Sequence, residues 1–347
     1  MRTSHWFAQN RKTISDKIQW IFNQPEGILC EHRSLHHHIS ILKEGSLVRM
    51  FFANPTQPED SFQYSGCMAE YDLHDPLNLI VAYPQALLLS LLWKSSPRNV
   101  YIIGFAGGRI PMILHHYFPD VKIESAEIDK DLVPLAEKYF GVLFDQRNRV
   151  VIEDGRDFLE NKIPLGTYDF IIIDAFRGTG YSPYHLNTAD FFKLCKKHLT
   201  EGGVVTINLV KTDHLFLEKI NTLRISFKHV YLHFDPINPE TYVFLGTDGE
   251  ALAEAERADR AAKIQHQIGF DFSFLKRAID LKPLSQQDAY LLENFGSSSE
   301  ILNMKDPPPG PLKLLSSNDP VFFKAEENNR CPCGSPFLFK HCHGKET

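Results

Sequence analysis

The sequence lacks a long apolar run and has no excess of positive charge. Its longest apolar stretch, residues 86–93, is far shorter than the roughly 20 residues of a membrane-spanning helix, so no membrane association is predicted. Scattered basic residues open the chain and no apolar signal core follows them, so we expect a cytoplasmic protein. The formal net charge of -6 predicts no general attraction to nucleic acid.

Cysteine is also scarce, with 6 residues in a chain of 347. Cys30, Cys67 and Cys195 are isolated in sequence, and we expect them to be ordinary buried thiols. The other three cysteines cluster with histidines near residue 343. Without a predicted signal peptide, such a cluster indicates a metal site rather than disulfides.

The remaining composition is that of a globular protein, with 43% hydrophobic and 23% charged residues. From residue 76 onward, apolar strands alternate with helices, which predicts an α/β fold with a doubly wound, mostly parallel sheet. The predicted parallel strands are NVYIIGF, VKIESAEID, RVVIEDG, YDFIIIDAF and GGVVTINLV. HVYLHF and TYVFLGT are expected to close the sheet as an antiparallel hairpin.

Changes of pattern divide the chain into five parts. Residues 1–75 are predicted to form an N-terminal helix and a β-hairpin region, and residues 76–250 the central α/β domain, which opens with an apolar helix over residues 76–94. Residues 251–295 are predicted C-terminal helices, with one helical pattern over residues 250–281. Residues 296–329 are rich in Pro, Gly and Ser and indicate a linker to a small terminal unit, residues 330–347.

A glycine-rich turn follows the first parallel strand. It reads Gly104-Phe105-Ala106-Gly107-Gly108, directly before a predicted helix. Small residues at such a turn let the backbone approach a ligand and direct helix N–H groups towards it. Alone, the turn is equally typical of a helix that merely closes onto its strand.

Acidic residues end the next three strands. They stand in Glu127-Ile128-Asp129, in Glu153-Asp154-Gly155 and at Asp174. Because the carboxyl ends of parallel strands meet at one edge of a sheet, these acids are expected to share a rim. There Glu127 can bind ribose hydroxyls and Asp154 an adenine amino group. Such acids also cap helices, and Asp129 is a candidate cap. The set favours a nucleoside site over capping.

These motifs resemble a known family. VYIIGFAGGRIPMIL, ESAEIDKDL, VVIEDGRDFL, YDFIIIDAF and GGVVTINL follow one another as in the spermidine synthase-like branch of the class I methyltransferase-fold proteins. The resemblance covers residues 30–290. It implies S-adenosylmethionine or its decarboxylated form as the bound nucleoside. The residues implied for that nucleoside are Gly104, Ala106, Gly108, Glu127, Ile128, Asp154, Gly155 and His37.

The same resemblance assigns chemistry to Asp174, as the carboxylate that accepts a proton from the attacking amine. Other positions depart from the family. Arg177 stands where a second aspartate helps to hold the polyamine, and His37 stands in place of a glutamine. The acidic signatures of the amine pocket are not recognisable, so the acceptor is not expected to be a standard polyamine.

Two interpretations of Arg177 stay open. It is either a surface loop residue or a contact for an anionic substrate, such as the carboxylate that intact S-adenosylmethionine keeps. Tyr181, Tyr184 and His185 follow in a loop suited to gating the site, although their composition is equally typical of packing. Tyr181 is also a candidate substrate contact. His36, His37 and His38 are expected to alternate along a strand, with only His37 facing the pocket. His115 and His116 are expected to cover a helix surface.

The end of the chain resembles the SEC-C motif through CPCGS and KHCHG. The motif implies a structural Zn²⁺ ion bound by Cys331, Cys333, Cys342 and His343, with His341 as a competing ligand. Four protein ligands leave no open position for catalysis. The implied role of this zinc knuckle is therefore docking of a protein partner.

The sequence favours a spermidine synthase-like transferase acting on a nucleoside and an unidentified acceptor. An S-adenosylmethionine-dependent methyltransferase is the alternative enzyme. A non-catalytic adaptor that recruits a partner through its zinc knuckle is the alternative of another class. The family resemblance also allows a homo-oligomer.

Overall fold

Two β-sheets organise the chain. A computed structural model describes residues 2–53, 67–176, 182–213, 215–234 and 241–304. The strands are β1 (Gly27–Arg33), β2 (His38–Glu44), β3 (Leu47–Ala53), β4 (Cys67–Asp72), β5 (Asn99–Ile103), β6 (Lys122–Glu127), β7 (Asn148–Ile152), β8 (Tyr168–Ile173), β9 (Leu199–Val210), β10 (His229–Phe234), β11 (Thr241–Thr247) and β12 (Lys282–Pro283). The helices are α1 (Arg2–Ile18), α2 (Ala82–Leu87), α3 (Arg109–Tyr117), α4 (Leu132–Phe140), α5 (Gly155–Lys162), α6 (Ala189–His198), α7 (Phe216–Ser226), α8 (Glu254–Ile268), α9 (Phe274–Asp280) and α10 (Asp288–Phe295).

The larger sheet has the strand order β12-β10-β11-β9-β8-β5-β6-β7. The five strands from β9 to β7 are parallel, and β11, β10 and β12 extend the sheet antiparallel. The doubly wound, mostly parallel sheet and its closing hairpin are therefore confirmed.

Side chains of this sheet alternate between two apolar layers. Along β5, Val100 and Ile102 join one buried cluster, whereas Tyr101 and Ile103 join the other. All six residues of β8 are buried, as expected for a parallel strand covered by helices on both faces.

The smaller sheet is antiparallel, in the order β1-β2-β3-β4. The predicted hairpin is confirmed as β2 and β3, which pair from Glu44↔Leu47 outward around Gly45. Strands β1 and β4 were not predicted, because their short mixed sequences carry no strict alternation. The turn after β5 packs closely against the smaller sheet at Gly107, since a Cβ there would lie 2.6 Å from the Cβ of Ala69 in β4.

Two helix predictions need correction. The apolar helix expected from residue 76 begins only at Ala82 and continues as 3₁₀ turns over Leu88–Leu92. The helix expected over residues 250–281 is broken at Gly269, whose φ of 68° ends α8 before α9 starts.

The histidine predictions are also partly wrong. His115 and His116 are buried rather than on a helix surface. His115 Nε2 lies 3.0 Å from Asp145, and His116 Nδ1 lies 2.8 Å from Oδ1 of Asn10 in α1. The packing of α1 against this face buries them, and burial lowers the pKa of His116 to about 4. His36 and His37 precede β2, so only His38 belongs to the strand.

Of the three isolated cysteines, only Cys195 is fully buried, whereas Cys30 is half-buried and Cys67 is exposed. Within the part of the chain that the structure describes, no helix combines the length and apolar character needed to cross a bilayer.

Candidate functional site

The predicted rim lies where the strand order of the large sheet reverses. β5 leads to β6 and β7 on one side, and the chain then returns to β8 on the other side of β5. Open α/β sheets bind ligands at this switch point, beyond the carboxyl ends of the strands. Here lies a crevice, which we call the nucleoside crevice. Its described lining includes His37, Phe52, Glu127, Ile128, Glu153, Asp154, Gly155, Asp174, His185 and Leu186.

The glycine turn allows the ends of β5 and β8 to meet. Gly104 has a φ of 93°, and a Cβ there would lie 2.4 Å from the backbone oxygen of Asp174. The amide of Asp174 donates to the carbonyl of Ile103 at 2.9 Å. Ala106, where the family has glycine, adopts a positive φ of 46°, a left-handed conformation that costs an L-residue about 1–2 kcal/mol.

Glu127 ends β6 with its carboxylate buried beside the turn. Its two oxygens accept hydrogen bonds from the amides of Phe105 and Asp129, each at 2.9 Å. Burial raises the pKa of Glu127 despite these bonds. Each oxygen keeps a second lone pair, so the carboxylate can still accept hydroxyl hydrogen bonds.

Asp129 connects the crevice to the N-terminal sheet, and its Oδ1 also accepts the backbone amide of Asp131 at 3.1 Å, in the turn that leads into α4. It accepts hydrogen bonds from Nδ1 of His37 at 2.9 Å and from the hydroxyl of Ser34. Burial alone would raise the pKa of Asp129, but the bonds from His37 and Ser34 lower it below its usual range. His37 in turn stacks on Phe52, with ring centroids 4.1 Å apart. His37 therefore lines the crevice in a fixed orientation.

Asp154 caps α5. Its Oδ1 accepts from the amides of Arg156 and Asp157 at the start of α5. Its Oδ2 lies 2.8 Å from Nε2 of His185, whose Nδ1 is buried without a hydrogen-bond partner among the described residues. Capping and a position on the crevice wall are therefore combined in one side chain. Gly155 is required beside it, because a Cβ there would lie 2.4 Å from Ile103.

Asp174 lies at the floor of the crevice, directly after β8. Its Oδ1 accepts a hydrogen bond from Nδ2 of Asn208, a buried residue of β9, at 3.0 Å. Burial raises the pKa of Asp174 to about 6, although the bond from Asn208 opposes the shift. Burial and the nearby Asp174 carboxylate also raise the pKa of Tyr83. A carboxylate with this pKa is suited to accept a proton near neutral pH.

The crevice is electrostatically one-sided. Its described lining contains Glu127, Glu153, Asp154 and Asp174 but no lysine or arginine. This arrangement favours a cationic ligand, and carboxylates at strand ends suit ribose hydroxyls and an amino group. The residues present thus fit a sulfonium nucleoside.

Several predicted residues fall outside the described part of the chain. They are Arg177, Tyr181 and the zinc ligands Cys331, Cys333, Cys342 and His343. Within the described ranges, no group of three His, Cys, Asp or Glu side chains is arranged to hold a metal ion.

Sequence reasoning missed three residues of the site. Asn208 holds the Asp174 carboxylate, and its only signal is a polar side chain inside the apolar strand TINLV. His185 was considered only as part of a gating loop, yet it bonds Asp154. Tyr83 stands in an apolar segment whose position over the crevice depends on tertiary packing.

Comparison with known proteins agrees with this geometry. Residues 85–254 match the Spermine/spermidine synthase domain. The chain is 32% identical over 163 residues to the polyamine aminopropyltransferase of Vibrio vulnificus, covering 47% of this chain and 54% of that protein. It is 29% identical over 227 residues to the polyamine aminopropyltransferase of Chromobacterium violaceum, covering 63% and 83% respectively. The match therefore spans about half the length of the Vibrio relative.

A third relative has a different activity. The human eEF1A lysine and N-terminal methyltransferase is 28% identical over 168 residues, which cover 46% of this chain and 23% of that protein.

Two solved structures share the fold. A probable spermidine synthase from Corynebacterium glutamicum superposes with a TM-score of 0.58 at 17% identity, over 80% of this chain and 96% of that one. A spermidine synthase in complex with the transition-state analogue AdoDATO gives 0.53 at 21% identity, over 73% and 88%. The Rossmann-like methyltransferase fold and the resemblance to spermidine synthases are thus confirmed.

Proposed function

We propose that the chain is a transferase that binds S-adenosylmethionine or its decarboxylated form. The match of residues 85–254 to the Spermine/spermidine synthase domain supports this proposal. The nucleoside occupies the crevice, with Glu127 at the ribose and Asp154 at the adenine. The acceptor is not a standard polyamine, since Arg177 stands where the family has a second aspartate.

One observation carries this proposal: the half-buried carboxylate of Asp174 lies at the switch point, in the lining of the nucleoside crevice, and is held there by the side-chain amide of Asn208. A desolvated carboxylate destabilises the folded chain, and a purely structural position would not need one. This argues for an enzyme over a non-catalytic adaptor.

The bound sulfonium supplies a carbon that an amine can attack, and its sulfur leaves as a neutral thioether. Asp174 attracts the cationic acceptor and accepts the proton that the acceptor nitrogen loses. The hydrogen bond from Asn208 keeps the Asp174 carboxylate in a fixed orientation. Glu127 and Asp154 fix the nucleoside relative to that carboxylate. Near pH 7, with the pKa of Asp174 about 6, most of the carboxylate is ready to accept a proton.

The test identifies the nucleoside product, which does not require knowledge of the acceptor. The protein is incubated with either labelled sulfonium and a panel of amines. Release of 5′-methylthioadenosine from the decarboxylated form indicates aminopropyl transfer, whereas release of S-adenosylhomocysteine from S-adenosylmethionine indicates methyl transfer. Asp174→Asn should abolish release and leave nucleoside affinity within about threefold, since the group acts on the proton. Asp259→Asn, which changes an exposed acid on α8, is the matched control. Unchanged turnover in Asp174→Asn would remove this residue from the mechanism.

Methyl transfer is the second candidate, favoured by the match to the human methyltransferase. The zinc knuckle at residues 331–343 stays part of the proposal, as a structural unit that docks a partner protein.

A further inference from the structure

A second cavity lies beside the nucleoside crevice, on the other side of the glycine turn. The two share Met68, Tyr83, Gly104 and Asp174, and the second cavity continues towards α3 and β4. Its charged residues, among those described, are Glu70, Arg109 and Asp174. A nucleoside bound in the crevice therefore has room for its sulfur substituent here.

Arg109 is a buried cation, 6% exposed, at the first position of α3. Its Nη2 donates to the carbonyl of Asn78 at 3.0 Å, Nη1 lies 3.8 Å from the sulfur of Met112, and the guanidinium lies over the ring of Tyr71. Its buried Nε has no hydrogen-bond partner among the described residues. Burial lowers the pKa of Arg109 to about 10, so it stays charged at neutral pH.

No carboxylate of the described residues forms an ion pair with Arg109. Asp75 acts on this buried charge only from beyond ion-pair distance, so a ligand carboxylate in the cavity would stabilise it further. The start of α3 adds the positive end of the helix dipole.

Glu70 supplies the opposite charge to the same cavity. Its Oε2 accepts a hydrogen bond from Nε of Arg49 at 2.9 Å, which keeps the carboxylate in place on β4. The buried Arg109 and the carboxylate of Glu70, which is also ion-paired with Arg49, line the same cavity and match the two charges of an α-amino acid. Decarboxylated S-adenosylmethionine carries only the ammonium.

We propose that the second cavity binds the α-amino-acid end of intact S-adenosylmethionine, with Arg109 opposite the carboxylate and Glu70 opposite the ammonium. This rests on the proposed function and narrows it. A chain that selects the carboxylated nucleoside transfers a methyl group rather than an aminopropyl group. The nitrogen of the acceptor then bonds to the methyl carbon, the carbon–sulfur bond breaks towards sulfur, and Asp174 receives the proton.

The chain offers a matched arginine of purely structural character. Arg257 is 1% exposed, donates to the carbonyls of Leu252 and Leu281, and lies over the ring of Tyr231. Its Nε also has no described partner. Because Arg257 lines neither cavity, Arg257→Met reproduces the loss of a buried arginine without touching the ligand.

The experiment is titration calorimetry of the full chain with three nucleosides, S-adenosylmethionine, its decarboxylated form and 5′-methylthioadenosine. The wild type should bind the carboxylated form about tenfold or more tightly than the decarboxylated one, as expected for a charge-assisted contact. Arg109→Met should remove that preference and leave 5′-methylthioadenosine unaffected. Arg257→Met should keep the preference.

The outcomes separate this inference from the function on which it rests. If the wild type binds the decarboxylated form as tightly or more tightly, or if Arg109→Met weakens all three nucleosides alike, the inference is wrong and the transferase proposal stands. If no nucleoside binds the wild type, both fail. A wild type that does not prefer the carboxylated form overturns the inference even where Arg109→Met does not fold.

Discussion

Replacing the candidate catalytic carboxylate should stabilise the protein while abolishing turnover. Burial raises the pKa of Asp174 from 3.8 to about 6. At 1.36 kcal/mol per pH unit, this difference corresponds to about 3 kcal/mol of destabilisation when the carboxylate is ionised. The crevice admits water, so we expect Asp174→Asn to gain about 1–3 kcal/mol at pH 8. The introduced Asn can still accept the hydrogen bond from Asn208.

The pH dependence of this gain has a defined sign. Below pH 3.8 the carboxyl is protonated in both states, and Asp174→Asn should match the wild type. As pH rises from 3.8 to about 6, the unfolded chain loses its proton first and the wild type loses stability. The gain of the variant should therefore appear across this window and stay constant above it.

Thermal melting of the main transition at pH 4 and pH 8 measures the effect, which should reach about 2 °C or more at pH 8. Asp169→Asn, on the same strand, is a control of opposite sign. The bonds of Asp169 to Lys94, Thr200 and two backbone amides outweigh burial and lower its pKa. Its stabilisation is present above pH 3.8 and lost as pH falls further, so Asp169→Asn should destabilise at pH 8. A destabilised Asp174→Asn, or a gain that persists at pH 4, would refute this reasoning.

Three further predictions concern packing and metal. Lys219→Met should lower the free energy of unfolding by about 3–5 kcal/mol, because it removes the ion-pair partner of the buried Asp213 carboxylate and the donor to the carbonyl of Ser182. Chemical denaturation measures this loss, and a loss below about 1 kcal/mol would contradict the prediction. Gly104→Ala should weaken nucleoside binding and lower the melting temperature, because the new Cβ would clash with the backbone oxygen of Asp174. Gly166 also has a positive φ, but no atom lies within 4 Å of a Cβ placed there, so Gly166→Ala should show only the backbone strain. Equal melting temperatures of the two variants would rule out the clash at Gly104. Elemental analysis should find one Zn²⁺ per chain, lost in Cys331→Ser. Chelation should leave the main thermal transition in place, so its loss would argue against an independent knuckle.

The order of the elements was accessible to sequence reasoning because it depends on local periodicity. β5, β6, β7, β8 and β9 each appear as an apolar run next to a helical pattern, and all are present. β1 and β4 were missed because their residues gain strand character only from their neighbours β2 and β3. The helical pattern of residues 250–281 hid the break at Gly269, since a single glycine is compatible with a helix.

The residues of the candidate site were likewise predictable from the sequence only in part. Strand-end position was enough to bring Glu127, Asp154 and Asp174 to one crevice. The hydrogen-bond partners were not accessible, since Asn208 is 34 residues from Asp174 and His185 is 31 from Asp154. Asp129, the candidate cap, accepts the amide of Asp131 before α4, but the packing of the N-terminal sheet also gives it the partners His37 and Ser34, which the sequence did not indicate.

The sequence by itself determined the parallel sheet, the glycine turn and the rim of acids, because each follows from residue spacing along one strand and the turn after it. Only the tertiary structure decided which side chains lost their water. It raised the pKa of Asp174, buried His116 under α1 and left Arg109 without a carboxylate partner among the described residues. Desolvation depends on what packs above a residue, and that is set by elements distant in the chain.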